Sequence, residues 1–404
     1  MLSHPDARIT FFAQTNYRDA KRRFGIRQAD RRAHMYIVGK TGTGKSTLLE
    51  TMICQDLKAG QGLALLDPHG DLVERVLARV PKERKTDVIY FNVPDRTNPL
   101  GFNPMERVPG SQRALAASHL LEAFKKLWSE FWGPRTEYIL RNVLIALLDQ
   151  PQATLADIPR LLDDEKFRKL AAERAANAQV RAFWLREYER YPHRFRTEAV
   201  APIQNKVGAF LANPLLQQIL VQPRSAFDVR QVMDERKILL VNLAKGKIGE
   251  DTASLLGALL VTNIGVAALG RAGMPEAERQ DFFLYLDEFH TFTTLSLATM
   301  LSELRKYHVG LILSHQYLHQ LDRQVQEAVL GNVGTLISFR LGVPDAQLLE
   351  HEVSPEFSAL DLMRLPNYHI YLKLMVEGMV TPPFSAQTLQ LSNSIMFDTE
   401  GKEL

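Results

Sequence analysis

The sequence predicts an α/β fold: a central, mostly parallel sheet, interrupted by an inserted all-α domain. Three observations predict it. A buried-strand run at 35–38, a glycine-rich turn and a helical stretch from Ser46 enclose the pattern Gly39-x-x-x-x-Gly44-Lys45-Ser46. A second apolar run at 281–288, Asp-Phe-Phe-Leu-Tyr-Leu-Asp-Glu, ends in paired carboxylates. Between the two, from about 105 to 234, strand-like runs give way to helical periodicity.

The first 34 residues are polar and basic at their end, with Arg18, Lys21, Arg22, Arg23, Arg27, Arg31 and Arg32 against Asp19 and Asp30. Such a cluster suits nucleic acid or anionic headgroups, but a solvated approach to the first strand is the simpler expectation. After the glycine-rich turn, a helix over 46–58 stops near Gly60 and a strand follows over 62–67. Strand, helix and strand this close together make a βαβ unit, hence a parallel sheet. Asp67 falls at the carboxyl end of its strand, the edge where open α/β sheets place ligands. A third strand is expected over 87–92, closed by Asn98-Pro99 and Asn103-Pro104.

Helices are then expected over 111–128, 136–148, 155–162, 164–176, 180–190 and 198–211, a region holding all three tryptophans, Trp128, Trp132 and Trp184. Strand character returns at 237–243, 281–288, 309–314 and 334–339, with helices over 297–307 and 324–330. One further helix over 344–352, a strand over 369–375 and a loose tail complete the chain. The domain plan is a basic segment at 1–34, a nucleotide-binding domain split between 35–104 and 235–385, the all-α insertion at 105–234, and a tail at 386–404.

Composition sets outer bounds. With 404 residues, 46% apolar and 24% charged, the chain is an ordinary globular protein of two domains or of one core with an insertion. A net charge of +3 means that any basic surface is local. The single cysteine, Cys54, excludes an intramolecular disulfide and fits a reducing, cytoplasmic setting. Charges interrupt the first 32 residues, so no signal peptide is expected. The stretch 253–270 is long enough to span a membrane, but Ser254, Thr262, Asn263 and three glycines suit a buried helix better, so no intrinsic membrane span is expected.

The residue types define a chemistry. In Gly39, Lys40, Thr41, Gly42, Thr43, Gly44, Lys45, Ser46 and Thr47, glycines let successive N–H groups converge on phosphate oxygens at a helix N-terminus. Lys45 reaches the β- and γ-phosphates, and the Ser46 hydroxyl coordinates Mg²⁺ brought with ATP. At the second run, Asp287 holds Mg²⁺ through water and Glu288 polarises the attacking water. Gln316, after the strand 309–314, senses the γ-phosphate or places the water. An arginine must meet the transition-state charge, often from a neighbouring subunit; Arg305 is the first candidate and Arg340 the second. His315 and His319 have the spacing of a helical zinc pair, but a general base and a third ligand are missing. The segment RAFWLREYERYPHRFR at 181–196 mixes five arginines with aromatics; it suits nucleic acid, or more simply an amphipathic helix with its aromatic side inward.

Taken together, HMYIVGKTGTGKSTLL, LALLDPHGDL, FFLYLDEFHTF and LRKYHVGLILSHQYLHQL followed by NVGTLISFRLGVPDA resemble the FtsK/HerA superfamily of DNA-pumping ATPases. Within it they are most similar to the coupling ATPases of conjugation and type IV secretion, of the TraG/TraD kind. The resemblance implies a RecA-like core with an all-α domain between its nucleotide motifs, assembled as a hexameric ring with single- or double-stranded DNA in its channel. It implies that the glutamine strand lies between the loop strand and the acidic strand, and that Arg305 matches a trans-acting arginine. Relatives of this kind begin with membrane-spanning helices that this sequence does not show. The sequence therefore speaks against membrane anchoring and direct attachment to a secretion channel; a cytoplasmic protein is expected, either soluble or brought to the inner face of the membrane by a partner, with a relaxosome, a secretion channel or a nuclease as the candidate partners. Two alternatives remain open: a secretion-assembly ATPase acting on protein components, and an ATPase partner of a nuclease in DNA processing or defence.

Overall fold

The structure, a computed structural model, describes residues 8–16, 21–106, 108–128 and 132–390. Its centre is an eleven-stranded sheet. The strands are β1 (Ile9–Thr15), β2 (Arg23–Arg27), β3 (Met35–Val38), β4 (Gly62–Asp67), β5 (Val88–Asn92), β6 (Ile238–Asn242), β7 (Phe282–Leu286), β8 (Val309–His315), β9 (Thr335–Ser338) and β10 (His369–Lys373). A small separate hairpin, β11 (Met375–Val376) with β12 (Met379–Val380), precedes the last strand, β13 (Phe384–Thr388). The order is β2-β1-β13-β10-β9-β3-β8-β7-β4-β6-β5. From β9 to β5 all pairings are parallel, and from β9 back to β2 all are antiparallel.

The parallel strands read as unbroken apolar runs because both faces are covered. In β3, β4, β6, β7 and β8 every residue is buried. Alternate residues serve opposite layers: Tyr36, Val38, Ala64 and Leu66 join one core, and Met35, Ile37, Leu63 and Leu65 the other. β8 lies between β3 and β7, as the resemblance implies, and the register sets Val38 beside His315 and Leu286 beside Leu313. The phosphate loop, the glutamine and the acidic pair therefore leave one edge from three neighbouring strands.

Residues 105–234 contain no strand among the described residues, and their core is continuous with one face of the sheet. Here the helices Arg113–Leu127, Pro134–Leu148, Asp157–Asp163, Glu165–Arg174 and His193–Leu211 match expectation, while Pro214–Leu220 and Val229–Asp234 are additional. The helix expected over 180–190 breaks into an α turn at Ala178–Ala182, a π turn at Phe183–Glu187 and a 3₁₀ turn at Tyr188–Arg190. Packing explains the break: Phe183, Trp184 and Tyr188 turn inward as one aromatic cluster. Glu250–Leu269, which covers the apolar stretch, is 72% buried over its most apolar window. Gly257 lets the Phe292 ring approach so closely that a Cβ there would stand 2.1 Å from a ring carbon.

The N-terminal segment differs from expectation. Rather than a solvated lead-in, it forms β1, β2 and the short helix Gln28–Arg31, closing the antiparallel flank. Arg31 is 1% exposed. Its guanidinium donates to both oxygens of Asp56 at 2.6 and 2.8 Å and to the Tyr285 hydroxyl at 2.6 Å, while lying 3.7 Å from the Phe283 ring centroid. Arg32 pairs with Asp281 at 2.6 Å. Arg18 lies outside the described residues. The expected tail from 386 begins inside β13, and residues 391–404 also lie outside the described ones. Three short helices were also not expected, Asp71–Leu77, Lys245–Ile248 and Ala359–Arg364.

Arg31→Met should leave Asp56 charged and unpaired in the core, at a cost of about 3–5 kcal/mol read as a lower urea midpoint. Arg31→Met combined with Asp56→Leu should cost less than the sum of the two single changes.

Candidate nucleotide site

The phosphate loop hangs between two supports. The Gly39 N–H donates to the His315 carbonyl at 3.2 Å, and the Lys40 N–H to the Arg340 carbonyl at 2.9 Å. Gly42 and Gly44 take positive φ, 76° and 123°, a conformation open to glycine, just before the helix Lys45–Lys58 begins. Ser46 and Thr47 occupy its first turn, half-buried. The Thr43 hydroxyl ties the loop to the Lys40 carbonyl at 2.7 Å. Thr41, exposed, donates from its hydroxyl to Gln316 Oε1 at 2.8 Å and so links the loop to the end of β8.

Lys45 is 5% exposed. Its ammonium donates to the Gly39 carbonyl at 2.6 Å and the Lys40 carbonyl at 3.2 Å, and stands 4.0 Å from Glu288 Oε1. Burial lowers its pKa, and Glu288 and Asp287 oppose that shift. Burial raises the Glu288 carboxyl, opposed first by Lys45 and then by Gln316. Asp287 is raised as well, by burial and then by the charge of Asp67. Glu288 takes the left-handed region at φ 44°, a conformation that costs a side-chain-bearing residue about 1 kcal/mol or more. Here it turns the carboxylate back toward Lys45.

Asp67 sits on the expected edge, but both its oxygens are engaged. Oδ1 accepts from the His69 N–H at 2.8 Å, and Oδ2 from Leu72 and Val73 at 2.8 and 3.1 Å. It caps the helix Asp71–Leu77 and acts on Asp287 through its charge. His315 and His319 do not converge: His315 is buried with Nδ1 3.3 Å from the Tyr36 hydroxyl, whereas His319 lies outside beside Asp345.

The two arginines lie on opposite edges. Arg305 is exposed in the 3₁₀ turn Leu304–Tyr307, just before β8, whereas Gln316 follows β8. A seven-residue strand separates the two ends by roughly 20 Å, so Arg305 cannot reach the Glu288 of its own chain. Arg340 is beside its own loop through its carbonyl, but its guanidinium is held by the Leu365 carbonyl at 3.1 Å and Asn367 Oδ1 at 2.9 Å.

Three further residues gather at the acidic turn, and two of them, Lys126 and Ser254, hold it by hydrogen bonds and escape sequence reasoning. His290 Nδ1 is 3.6 Å from Glu288 Oε2, with its pKa pulled to about 4 by burial, then by Lys245 and Lys126. Lys126, from the helical insertion, donates to the His290 and Thr291 carbonyls at 2.8 and 2.7 Å. Burial pulls its ammonium down to about 7. The Ser254 hydroxyl donates to the Thr291 carbonyl at 2.8 Å. His290 was visible two places after Glu288; Lys126 and Ser254 carry no local signal, since their partner is distant in sequence.

Nothing among the described residues forms a cluster of three metal-ligating side chains. A nucleotide-borne cation fits the donor set instead, because phosphate oxygens would complete what Ser46 and Asp287 begin. Glu288 Oε2 is buried and has no hydrogen-bond partner among the described residues, an acceptor left over for a ligand. Bound there with a nucleoside triphosphate, Mg²⁺ would offset charge on the phosphate oxygens.

Lys45→Ala should abolish measurable nucleotide binding by calorimetry. Glu288→Gln should keep binding and lower turnover about 10²–10⁴-fold. Because burial raises the Glu288 pKa, the wild-type rate should fall with decreasing pH at a value above that of a free glutamate, and level off above it. Lys126→Met should lower kcat more than it raises KM for the nucleotide, since it frees the turn that carries Glu288.

Comparison with known proteins shows the fold and the family. The chain is similar in fold to the bacterial conjugative coupling protein TrwBdeltaN70 in an unbound form, with a TM-score of 0.63, 15% identity, and coverage of 94% of this chain and 89% of that one. TrwB in complex with ADP and Mg²⁺ gives a TM-score of 0.63 at 15% identity, covering 96% of each chain. VirB4 of Thermoanaerobacter pseudethanolicus gives 0.63 at 15% identity, covering 97% of this chain and 99% of that one. The RecA-like fold is thus shared along nearly the whole length. No curated protein matches significantly. The model of the type IV secretion-system coupling protein DNA-binding domain matches residues 24–347, and the chain belongs to that family.

Proposed function

We propose that this chain is an ATP-hydrolysing motor that moves DNA, working as a ring of identical subunits. The observation that carries the reading is the meeting of Lys45 and Glu288 at 4.0 Å across β8, with Gln316 linked to the loop through Thr41. Lys45 and the loop amides bind the phosphates; Glu288 orients water and accepts its proton; Gln316 sits where it senses the terminal phosphate. TrwB, similar in fold, has been solved with ADP and Mg²⁺ and with a non-hydrolysable ATP analogue, which supports the same ligand here.

The ring reading draws its support from Arg305. An exposed arginine on the far edge of the sheet is useful to hydrolysis only in a neighbour's site, which requires head-to-tail interfaces. DNA contact draws support from the family and from the segment 181–196. Its aromatics are largely taken into the core, while Arg186, Arg190 and Arg194 are exposed, cations better suited to backbone phosphates than to base stacking. Attachment to a membrane-bound secretion partner or a relaxosome follows from the same family and belongs to this proposal.

ATPase activity should rise on adding single- or double-stranded DNA, lose that stimulation as salt increases, and accompany a ring-sized species by solution mass measurement. Activity indifferent to DNA at every salt concentration would overturn the motor reading in favour of an ATPase acting on protein components. Arg305→Ala should fold normally, lose most activity, and recover part of it when mixed with Lys45→Ala subunits, whose own arginine is intact. Absence of recovery would remove Arg305 from the trans role.

A further inference from the structure

The phosphate loop has two sides, and only one has been accounted for. Glu288 and Gln316 fix the terminal-phosphate side over β7 and β8. The opposite side, beyond the loop strand β3, is β9 and then β10. A triphosphate lying along the loop must therefore send its nucleoside toward β9 and β10. β10 runs antiparallel to β9, so its amino end, and the segment just before it, return to the same edge as the carboxyl ends of β3 and β9.

That returning segment is clamped to the loop. The Tyr368 N–H donates to the Thr43 carbonyl at 2.8 Å, and the Tyr368 carbonyl accepts from the Thr388 N–H at 2.8 Å and hydroxyl at 3.1 Å. The Tyr368 ring lies so close over Gly44 that a Cβ there would stand 2.9 Å from a ring carbon, and the Phe339 ring closes in at 3.1 Å. Tyr368 adopts φ 67°, a left-handed conformation costing about 1 kcal/mol or more, which its bracing hydrogen bonds sustain. Beside it, the Arg340 guanidinium is fixed at two points, by the Leu365 carbonyl and Asn367 Oδ1, and a guanidinium has further N–H donors to offer.

We propose that Tyr368 and Arg340 form the nucleoside subsite: the half-buried ring lies against the base or ribose, and the guanidinium donates to the ribose or the first phosphate. This rests on the reading that the loop binds a nucleoside triphosphate. It reassigns Arg340 from the terminal phosphate to the other end of the ligand. The chemistry fits the class: an aromatic face accepts any base, and a planar fork of donors suits sugar and phosphate oxygens.

The test compares ATP with inorganic tripolyphosphate, each with Mg²⁺, by calorimetry on the full chain. Tyr368→Ala should weaken ATP roughly tenfold or more and leave tripolyphosphate unchanged, with Tyr368→Phe restoring most of the loss. Arg340→Ala should likewise weaken ATP more than tripolyphosphate. Unchanged ATP affinity in both variants, or equal losses for the two ligands, would overturn the subsite and leave only a buttress for the loop. Lys45→Ala separates this from the parent reading: if wild type binds ATP and Lys45→Ala does not, the nucleotide site stands whatever Tyr368 does. If wild type binds neither ligand, the parent reading fails first. Retained tripolyphosphate binding also shows that a variant is folded.

Discussion

The site depends on keeping one ammonium and two carboxylates out of water and close together. Lys45, Asp287 and Glu288 are each about 5% exposed or less. At a separation of 4.0 Å a unit-charge pair attracts by about 4 kcal/mol in a medium of effective dielectric constant near 20, and desolvation works against it. The opposed shifts follow from that balance, with the lysine lowered and the acids raised. Neither charge is well satisfied by its partner alone, so an incoming polyanion and its cation have interactions to gain. Three adjacent parallel strands make such proximity possible without either group leaving its own strand end.

The antiparallel flank stabilises this arrangement from behind. Arg31 links Asp56, on the helix that follows the phosphate loop, to Tyr285, in the middle of the acidic strand. Tyr285 in turn donates to Asp56 at 2.5 Å, so the three groups close on one another. The far end of the loop helix and the body of the acidic strand are thereby fixed to each other from behind the chemistry. On the other face, Lys126 and Ser254 hold the turn after Glu288. The catalytic edge is thus held by residues from the N-terminal flank, the helical insertion and the long apolar helix.

The parallel half of the fold was legible because burial on both faces leaves no ambiguity in the residues. β3, β4, β6, β7 and β8 read as apolar runs, each ending within about one or two residues of its expected limit. The phosphate loop and acidic pair were legible because their chemistry demands particular residues at particular spacing. The antiparallel flank was not. β2 begins and ends in arginine and β1, though uncharged, alternates only loosely, so the seven cationic side chains around them resembled a solvated segment, although Arg31 is fully enclosed. The partners that enclose it, Asp56 and Tyr285, are 25 and 254 positions away, beyond any local pattern. The broken helix at 178–190 was missed for a related reason: tertiary packing of Trp184 and Tyr188 overrides a helical period that looks continuous.

The apolar helix Glu250–Leu269 has a consequence for biosynthesis. Part of its covering is made early, since the helix Arg113–Leu127 precedes it, but Phe292 and Met300, which fill the hollows at Gly257 and Gly265, are translated later. At ordinary ribosomal speeds of roughly 5–20 residues per second, this segment waits some seconds in a nascent chain with its greasy surface partly bare. During that interval it presents the same signal as a membrane anchor. Complete covering of the helix therefore rests on the speed with which the following 30 or so residues arrive.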